Sequence, residues 1–110
     1  MVDAPNADRQ LRVEQGVLSV SGALTVSSIA ALLPQGRRAI AGLSADRAVL
    51  DLAGVSASDS SGLALVVDWL RTARERKLTL SVRNVPSQMA ALATVSGLDA
   101  LLSDGDTNAS

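Results

Sequence analysis

The sequence contains neither cysteine nor histidine in its 110 residues. It therefore has no disulfide, no thiolate nucleophile and no thiolate metal ligand, and it lacks the commonest general base and the commonest metal ligand in proteins. A catalytic serine is also disfavoured, because the only lysine, Lys77, lies about a helix length away from Ser60. We therefore expect a protein that is not an enzyme.

Motifs for phosphate and metal binding are missing as well. Neither G-x-x-x-x-G-K nor G-x-G-x-x-G occurs in the chain. Asp46, Asp51 and Asp59 do not have the spacing of a calcium-binding loop and are better explained as turn, strand-end and helix-cap residues. We expect no cofactor and no bound metal.

Aromatic residues, basic clusters and long apolar runs are scarce too. The chain has one Trp and no Phe or Tyr, so its core must consist of Leu, Val, Ile and Ala. A net charge of −1, without a basic cluster, argues against nucleic acid and anionic membranes as partners. No apolar run approaches the roughly 20 residues of a membrane span, and residues 1–10 lack the apolar centre of a signal peptide. We expect a cytoplasmic protein with no direct membrane insertion.

The hydrophobic pattern predicts one α/β domain over residues 11–102, between a flexible N-terminus at 1–10 and a flexible C-terminal tail at 103–110. Strands are predicted at 11–13, 17–20, 48–52 and 78–82, the first two joined by a turn at Gln15 and Gly16. Helices are predicted at 24–33, 37–43, 63–76 and 87–96, with Pro34 separating the first two and Thr25 or Ser27 as the first cap. Strand 48–52, which we expect to be covered on both faces, forms a parallel βαβ unit with helix 63–76 and strand 78–82.

The stretch between the third strand and the following helix is small and polar, and it predicts a loop that opens into a capped helix. Asp59, Ser60 and Ser61 are all residue types that accept hydrogen bonds from the free N–H groups of a first helical turn. On spacing alone, Ser60 is interpreted as the cap. If it were phosphorylated, about −1.5 to −2 charges would be added beside Asp59.

The helix after this loop shows two apolar lines on its surface. The first is predicted to face the core and consists of Leu63, Val66, Val67, Leu70 and Ala73. Asp68 and Glu75 fall on the opposite side and are expected in water. Leu65 and Trp69 form a separate line, which either covers a flank of the core or is exposed as an anchor for a partner protein.

The stretch Asp59-Ser60-Ser61-Gly62-Leu63-Ala64-Leu65, after the strand Val49-Leu50-Asp51-Leu52, resembles the switch loop of the STAS domain. That family includes bacterial anti-sigma-factor antagonists and the tails of anion transporters. The pairs Ala64-Leu65 and Trp69-Leu70, together with residues 91–98, are most similar to the MlaB type. MlaB-type proteins are small cytoplasmic STAS subunits of an ABC transporter for phospholipids, which maintains outer-membrane lipid asymmetry.

The resemblance implies a mixed sheet with helices packed mainly on one face, and no catalytic role. It implies that Ser60 stands at the position phosphorylated in the antagonists. It also implies that the loop and the following helix contact the ATPase subunit of the transporter, which places the protein at the inner membrane through its partner. The partner interface predicted in this way consists of Asp59, Ser60, Ser61, Gly62, Leu65 and Trp69.

Two other functions stay open. The first is an anti-sigma-factor antagonist, whose partners are an anti-sigma factor and a serine kinase acting on Ser60. The second is a STAS protein that binds or hydrolyses a nucleotide, which the missing phosphate-binding loop disfavours.

Overall fold

Four strands form one mixed sheet in the order β1-β2-β3-β4 in a computed structural model of the chain, which describes residues 10–102. The strands are β1 (Leu11–Glu14), β2 (Val17–Leu24), β3 (Arg47–Ser58) and β4 (Thr79–Arg83). β1 pairs with β2 in antiparallel fashion, and β2–β3 and β3–β4 are parallel pairs. The predicted hairpin and the predicted parallel βαβ unit are both confirmed. Of the flexible segments predicted at 1–10 and 103–110, residues 1–9 and 103–110 lie outside the described residues.

The turn between β1 and β2 has the two residues expected from the sequence. Gln15 and Gly16 have φ values of 50° and 80°, which is the left-handed conformation that matches the twist of two paired strands. Just before β1, the side-chain amide of Gln10, which the sequence placed in the N-terminal tail, donates to the carbonyl oxygens of Ser21 (3.0 Å) and Ala23 (3.3 Å). The turn therefore defines one end of the hairpin, and the hydrogen bonds of Gln10 hold the other.

The helices are α1 (Val26–Ala41), α2 (Ser60–Glu75) and α3 (Ser87–Val95), followed by a helical turn at 99–102. In β3 the residues that face the helices, Ala48, Leu50 and Leu52, are buried. Val49 and Asp51 point to the opposite face and are only half-buried. The prediction that this strand is covered on both faces is wrong, because the helices pack on one face of the sheet. The mixed sheet with its helices mainly on one side is the architecture that the family resemblance implied.

A single continuous helix, α1, replaces the two short helices predicted on either side of Pro34. Leu32, Gly36 and Ile40 are buried and lie at intervals of four residues, so both halves of the helix contact the core along one line. Pro34 lies on the exposed side. These contacts offset the loss of one backbone hydrogen bond, which is why the proline does not end the helix. The predicted cap Thr25 is confirmed, and its N–H donates to Ser28 Oγ at 3.0 Å.

β3 is longer than predicted and includes residues that the sequence placed in a loop. Val55, Ser56, Ala57 and Ser58 continue the strand because β2 extends beside them as far as Leu24. The pairing passes through two register shifts. Gly54 pairs with Ser21 beside the first of these shifts, and a Cβ at Gly54 would lie only 2.8 Å from Ser21 Cβ. The strand therefore carries the chain directly to the start of α2.

Candidate functional site

The carboxyl ends of β2 and β3 lie side by side, and α1 and α2 begin there. The N–H of Asp59 donates to the carbonyl oxygen of Leu24 at 3.4 Å, which joins the starts of the two helices. Val26 in the first turn of α1 is 72% exposed, an unusual fraction for a large apolar side chain. In sheets with parallel strands this edge is the usual place for binding sites, and its residues are therefore the candidate site.

Asp59 is the cap of α2, and Ser60 is the first residue of the helix. Asp59 Oδ1 accepts a hydrogen bond from the N–H of Ser61 at 2.8 Å. The interpretation of Ser60 as the cap is wrong, because the extended backbone that a cap requires is found one residue earlier. The Ser60 side chain is exposed, so its hydroxyl is accessible from outside.

Gly62, which the sequence placed in the partner interface, lies in the first turn of α2 and is buried. A Cβ at this position would collide with Ser58 Oγ and lie 3.0 Å from Leu24 Cβ. Glycine therefore allows the helix to approach the ends of both strands. The role of Gly62 is to position Asp59, Ser60 and Ser61, and its own surface is not available to a partner.

The prediction that Leu65 and Trp69 form an exposed strip is also wrong. Their exposed fractions are 1% and 0%, and the Trp69 ring packs against Gly36 of α1. The indole Nε1–H donates to the carbonyl oxygen of Leu33 at 3.2 Å. The alternative, that these residues belong to the core, is correct. Leu50 is buried as expected, but Val67 is only half-buried.

An ion pair that the sequence did not predict closes the outer side of the contact between α1 and α2. Arg37 donates from Nε to Asp68 Oδ2 at 2.9 Å and from Nη2 to Asp68 Oδ1 at 2.7 Å. The hydrogen bond from Asp68, followed by the attraction of its charge, raises the pKa of Arg37. Asp68 was expected in water, because its partner lies 31 positions away and no local pattern connects them.

The accessible side of α2 beside Ser60 forms a shallow depression against the C-terminal segment. We call it the Ser60 groove; it is lined by Ser60, Leu63, Ala64, Val67, Asp68, Arg71, Ser96 and Leu98. Val67 and Leu98 are half-buried, which leaves apolar surface in the groove between polar edges. Next to Ser96, the side chain of Val95 is 85% exposed. Of the predicted interface residues, Asp59, Ser60 and Ser61 remain at the surface next to this groove.

Asp51 holds two strands together. Its Oδ1 accepts hydrogen bonds from Asn84 Nδ2 at 2.9 Å and from the N–H of Ala53 at 3.0 Å. Both hydrogen bonds lower the pKa of Asp51, and the bond from Asn84 has the larger effect.

Among residues 10–102 no three acidic side chains come together in a way that would hold a metal ion. In the same part of the chain, no helix has the length and apolar character needed to cross a membrane.

The family described as "Mlab, STAS domain" has a sequence model that matches residues 7–103. No curated protein sequence matches the chain. Among solved structures, the anti-sigma factor antagonist SpoIIAA in its unphosphorylated form has a TM-score of 0.65 at 20% identity, over 81% of this chain and 80% of that one.

Two further structures with the same fold come from transporters. A sulfate transporter family protein from Wolinella succinogenes has a TM-score of 0.61 at 14% identity, over 83% of this chain and 75% of that one. The STAS domain of a SulP transporter from Vibrio cholerae has a TM-score of 0.54 at 12% identity, over 83% and 71% of the two chains. At these identities the likeness concerns the fold.

Proposed function

The chain belongs to the STAS-domain family, and we propose that it is the STAS subunit of a phospholipid-transporting ABC complex. In this function it binds the ATPase subunit of the transporter and supports its assembly and activity. STAS domains are in general binding domains without catalytic activity. The description of the matching family, which names Mlab, supports the assignment to this type of subunit.

The observation that carries the proposal is the Ser60 groove, with the exposed Ser60 in its lining. Half-buried Val67 and Leu98 provide apolar area, and Arg71 and Asp68 provide a polar border. An apolar centre with a polar rim is the common arrangement of an interface between proteins that also fold separately. The groove thus suits a protein partner. Through that partner, the chain would be held at the cytoplasmic face of the inner membrane.

A second candidate function is that of an anti-sigma-factor antagonist. The observation that favours it is the exposed hydroxyl of Ser60 in the first turn of α2, where a kinase would have access. A phosphate there would add about −1.5 to −2 charges next to the Asp59 carboxylate. A partner packed against this surface would be repelled, and modification of Ser60 would act as a switch.

Calorimetric titration of the purified chain against the ABC ATPase and against the anti-sigma factor of the same organism separates the two functions. We expect saturable binding to the ATPase, retained in Ser60→Ala. Ser60→Glu should bind at least about tenfold more weakly, through charge and bulk at the interface. Ser44→Glu, at an exposed serine between α1 and β3, is the matched control and should bind like the unchanged protein.

Two results would contradict the proposal. If the chain binds only the anti-sigma factor, and a serine kinase phosphorylates Ser60 as shown by mass spectrometry, the second function is correct. If Ser60→Glu and Ser44→Glu bind the ATPase equally well, Ser60 lies outside the interface.

A further inference from the structure

The groove beside Ser60 continues along α2 towards its C-terminal end. This second part, which we call the arginine groove, is lined by Val67, Leu70, Arg71 and Arg74 of α2 and by Leu98 and Leu101 of the C-terminal segment. Val67, Arg71 and Leu98 line both parts, so the two form one continuous depression. A partner that contacts Ser60 thus has a direct path into the arginine groove.

The apolar residues of the arginine groove are spaced like one face of a helix. Val67 and Leu70 are three residues apart on α2, which is about one helical turn. Leu98 and Leu101 face them and are also one turn apart, as the hydrogen bond of 3.0 Å from the N–H of Leu101 to the carbonyl oxygen of Leu98 shows. All four side chains are half-buried. A groove with two such walls fits the apolar side of a short amphipathic helix, whose anchors recur every three or four residues.

The charge of the groove selects the chemistry of that helix. Arg71 and Arg74 are exposed along one wall. In the part of the chain that the structure describes, the ion pairs are Arg12–Glu14 and Arg37–Asp68, so no salt bridge there neutralises these two arginines. Asp68, the acidic residue that lines the neighbouring Ser60 groove, is already held by Arg37. An occupant with acidic residues beside its apolar face is therefore complementary to the groove.

The tail of the chain itself satisfies only half of this requirement. Residues 103–110 contain two carboxylates, Asp104 and Asp106, but the only aliphatic side chain among them is that of Ala109. They supply charge for the arginines but no anchor for the leucine walls. A segment of another protein that combines carboxylates with apolar anchors meets both requirements.

We propose that the arginine groove binds a short, acidic amphipathic helix of the partner that contacts Ser60. The identity of this partner rests on the proposed function, whereas the chemistry of the helix rests on the groove alone. The helix would place two or three apolar side chains between α2 and the C-terminal turn, with its carboxylates against Arg71 and Arg74.

A synthetic peptide tests the groove without the partner. The probe is a capped helix of about fifteen residues with leucines at i, i+3, i+4 and i+7 and glutamates at the flanking positions. The control peptide has lysine in place of every glutamate. On titration of the glutamate peptide, we expect amide NMR shifts to concentrate at residues 67–74 and 98–101. The lysine peptide should cause none, and added salt should weaken the interaction.

Charge-reversal variants provide the second arm. Arg71→Glu/Arg74→Glu should reduce affinity for the glutamate peptide at least about tenfold. Arg38→Glu is the control for the Arg74 substitution, since Arg38 lies in the last turn of α1 as Arg74 does in α2 and each charge reversal has the same unfavourable interaction with its helix dipole. This variant should bind normally. Shifts centred elsewhere, equal binding of both peptides, or undiminished binding by Arg71→Glu/Arg74→Glu would overturn the proposal.

The ATPase titration distinguishes failure of this inference from failure of the proposed function. If Ser60→Glu weakens ATPase binding but Arg71→Glu/Arg74→Glu does not, the partner is correct and the arginine groove is not used. If the ATPase does not bind but the glutamate peptide does, the proposed function falls and the groove stands. Removal of residues 103–110 should leave peptide affinity unchanged; a gain of about tenfold would show that the tail is the occupant and would also overturn the proposal.

Discussion

The two sides of α2 differ in what their apolar residues contact. On one side, Leu65 and Trp69 are fully buried, and Trp69 packs against Gly36 and hydrogen-bonds to Leu33. On the other side, Val67 is half-buried and Ser60 and Arg71 are exposed. The side with Leu65 and Trp69 therefore belongs to the interior, and the side with Ser60, Val67 and Arg71 is accessible from outside.

This difference depends on the neighbouring helix as much as on α2. At Gly36 the Trp69 ring lies against the backbone of α1, and any side chain there would overlap the indole. A large aromatic ring near a helix start is typical of a protein interface when no neighbouring glycine leaves a recess for it in the core. Because Gly36 leaves room for the ring, Trp69 is instead a buried contact between α1 and α2.

The largest expected effect comes from removing the ring. Trp69→Ala should lower the free energy of unfolding by about 3–5 kcal/mol, because the cavity lies in a fully buried contact and the Leu33 carbonyl loses its indole donor. Chemical denaturation measures this loss. The matched control is Val26→Ala, at a position that is 72% exposed, and it should change stability by less than about 0.5 kcal/mol.

A second measurement keeps this prediction apart from the interface interpretation. The folded fraction of Trp69→Ala should bind the partner with unchanged affinity, since the ring does not reach the surface. A stable Trp69→Ala that has lost partner binding would return the residue to the interface and contradict the arrangement described above.

Adding a methyl group to the recess should have the next largest effect. Gly36→Ala places a Cβ against the Trp69 ring and should destabilise the protein by about 1–3 kcal/mol, although alanine favours a helix more than glycine does. In the Trp69→Ala background the collision is absent, so the same substitution should be neutral or stabilising. A double-mutant cycle in chemical denaturation gives the coupling, and additive effects would show that Gly36 and Trp69 are not in contact.

The sequence predicts the fold well where the pattern is local. The hairpin at Gln15 and Gly16, the parallel strands around the long helix and the cap at Thr25 follow from short-range periodicity and turn chemistry, and all are present. The break at Pro34 is a local inference too, but it fails because Leu32 and Gly36 contact the core on both sides of the proline. Tertiary packing outweighs helix propensity at that point.

The candidate site is predicted less completely, because residues far away in the chain determine which of its side chains are buried. The stretch from Asp59 to Ser61 is at the surface, as the capping pattern suggests. The burial of Trp69 depends on Gly36, and the ion pair of Asp68 depends on Arg37, each more than 30 positions away in the chain. A helical wheel of α2 contains neither partner. It therefore leaves open whether the ring is buried or exposed, and it gives Asp68 no partner.

Trimming the exposed side of α2 should have a smaller effect on stability than on binding. Val67→Ala removes two methyl groups from a half-buried side chain and should cost about 1 kcal/mol of folding free energy. Because Val67 lines both the Ser60 groove and the arginine groove, the loss of partner affinity should be about tenfold. The measurement pairs thermal unfolding with titration against the partner. A loss of stability without a loss of affinity would place Val67 with Trp69 on the interior side.

The smallest effect separates the two residues at the start of α2. Asp59→Ala should destabilise the domain by about 1 kcal/mol, since its carboxylate accepts the hydrogen bond of 2.8 Å from the N–H of Ser61. Ser60→Ala should change stability by less than about 0.5 kcal/mol, because the side chain is exposed and lies one residue beyond the cap. Asp59→Asn keeps the acceptor but removes the charge, so only the favourable interaction with the helix dipole, about 0.3–1 kcal/mol, is lost. In thermal unfolding, Asp59→Ala should therefore lose the most stability, Asp59→Asn less and Ser60→Ala the least. If Ser60→Ala were instead as damaging as Asp59→Ala, the serine would be tied into the fold, and a kinase or a partner would have to break that contact before it reached the hydroxyl.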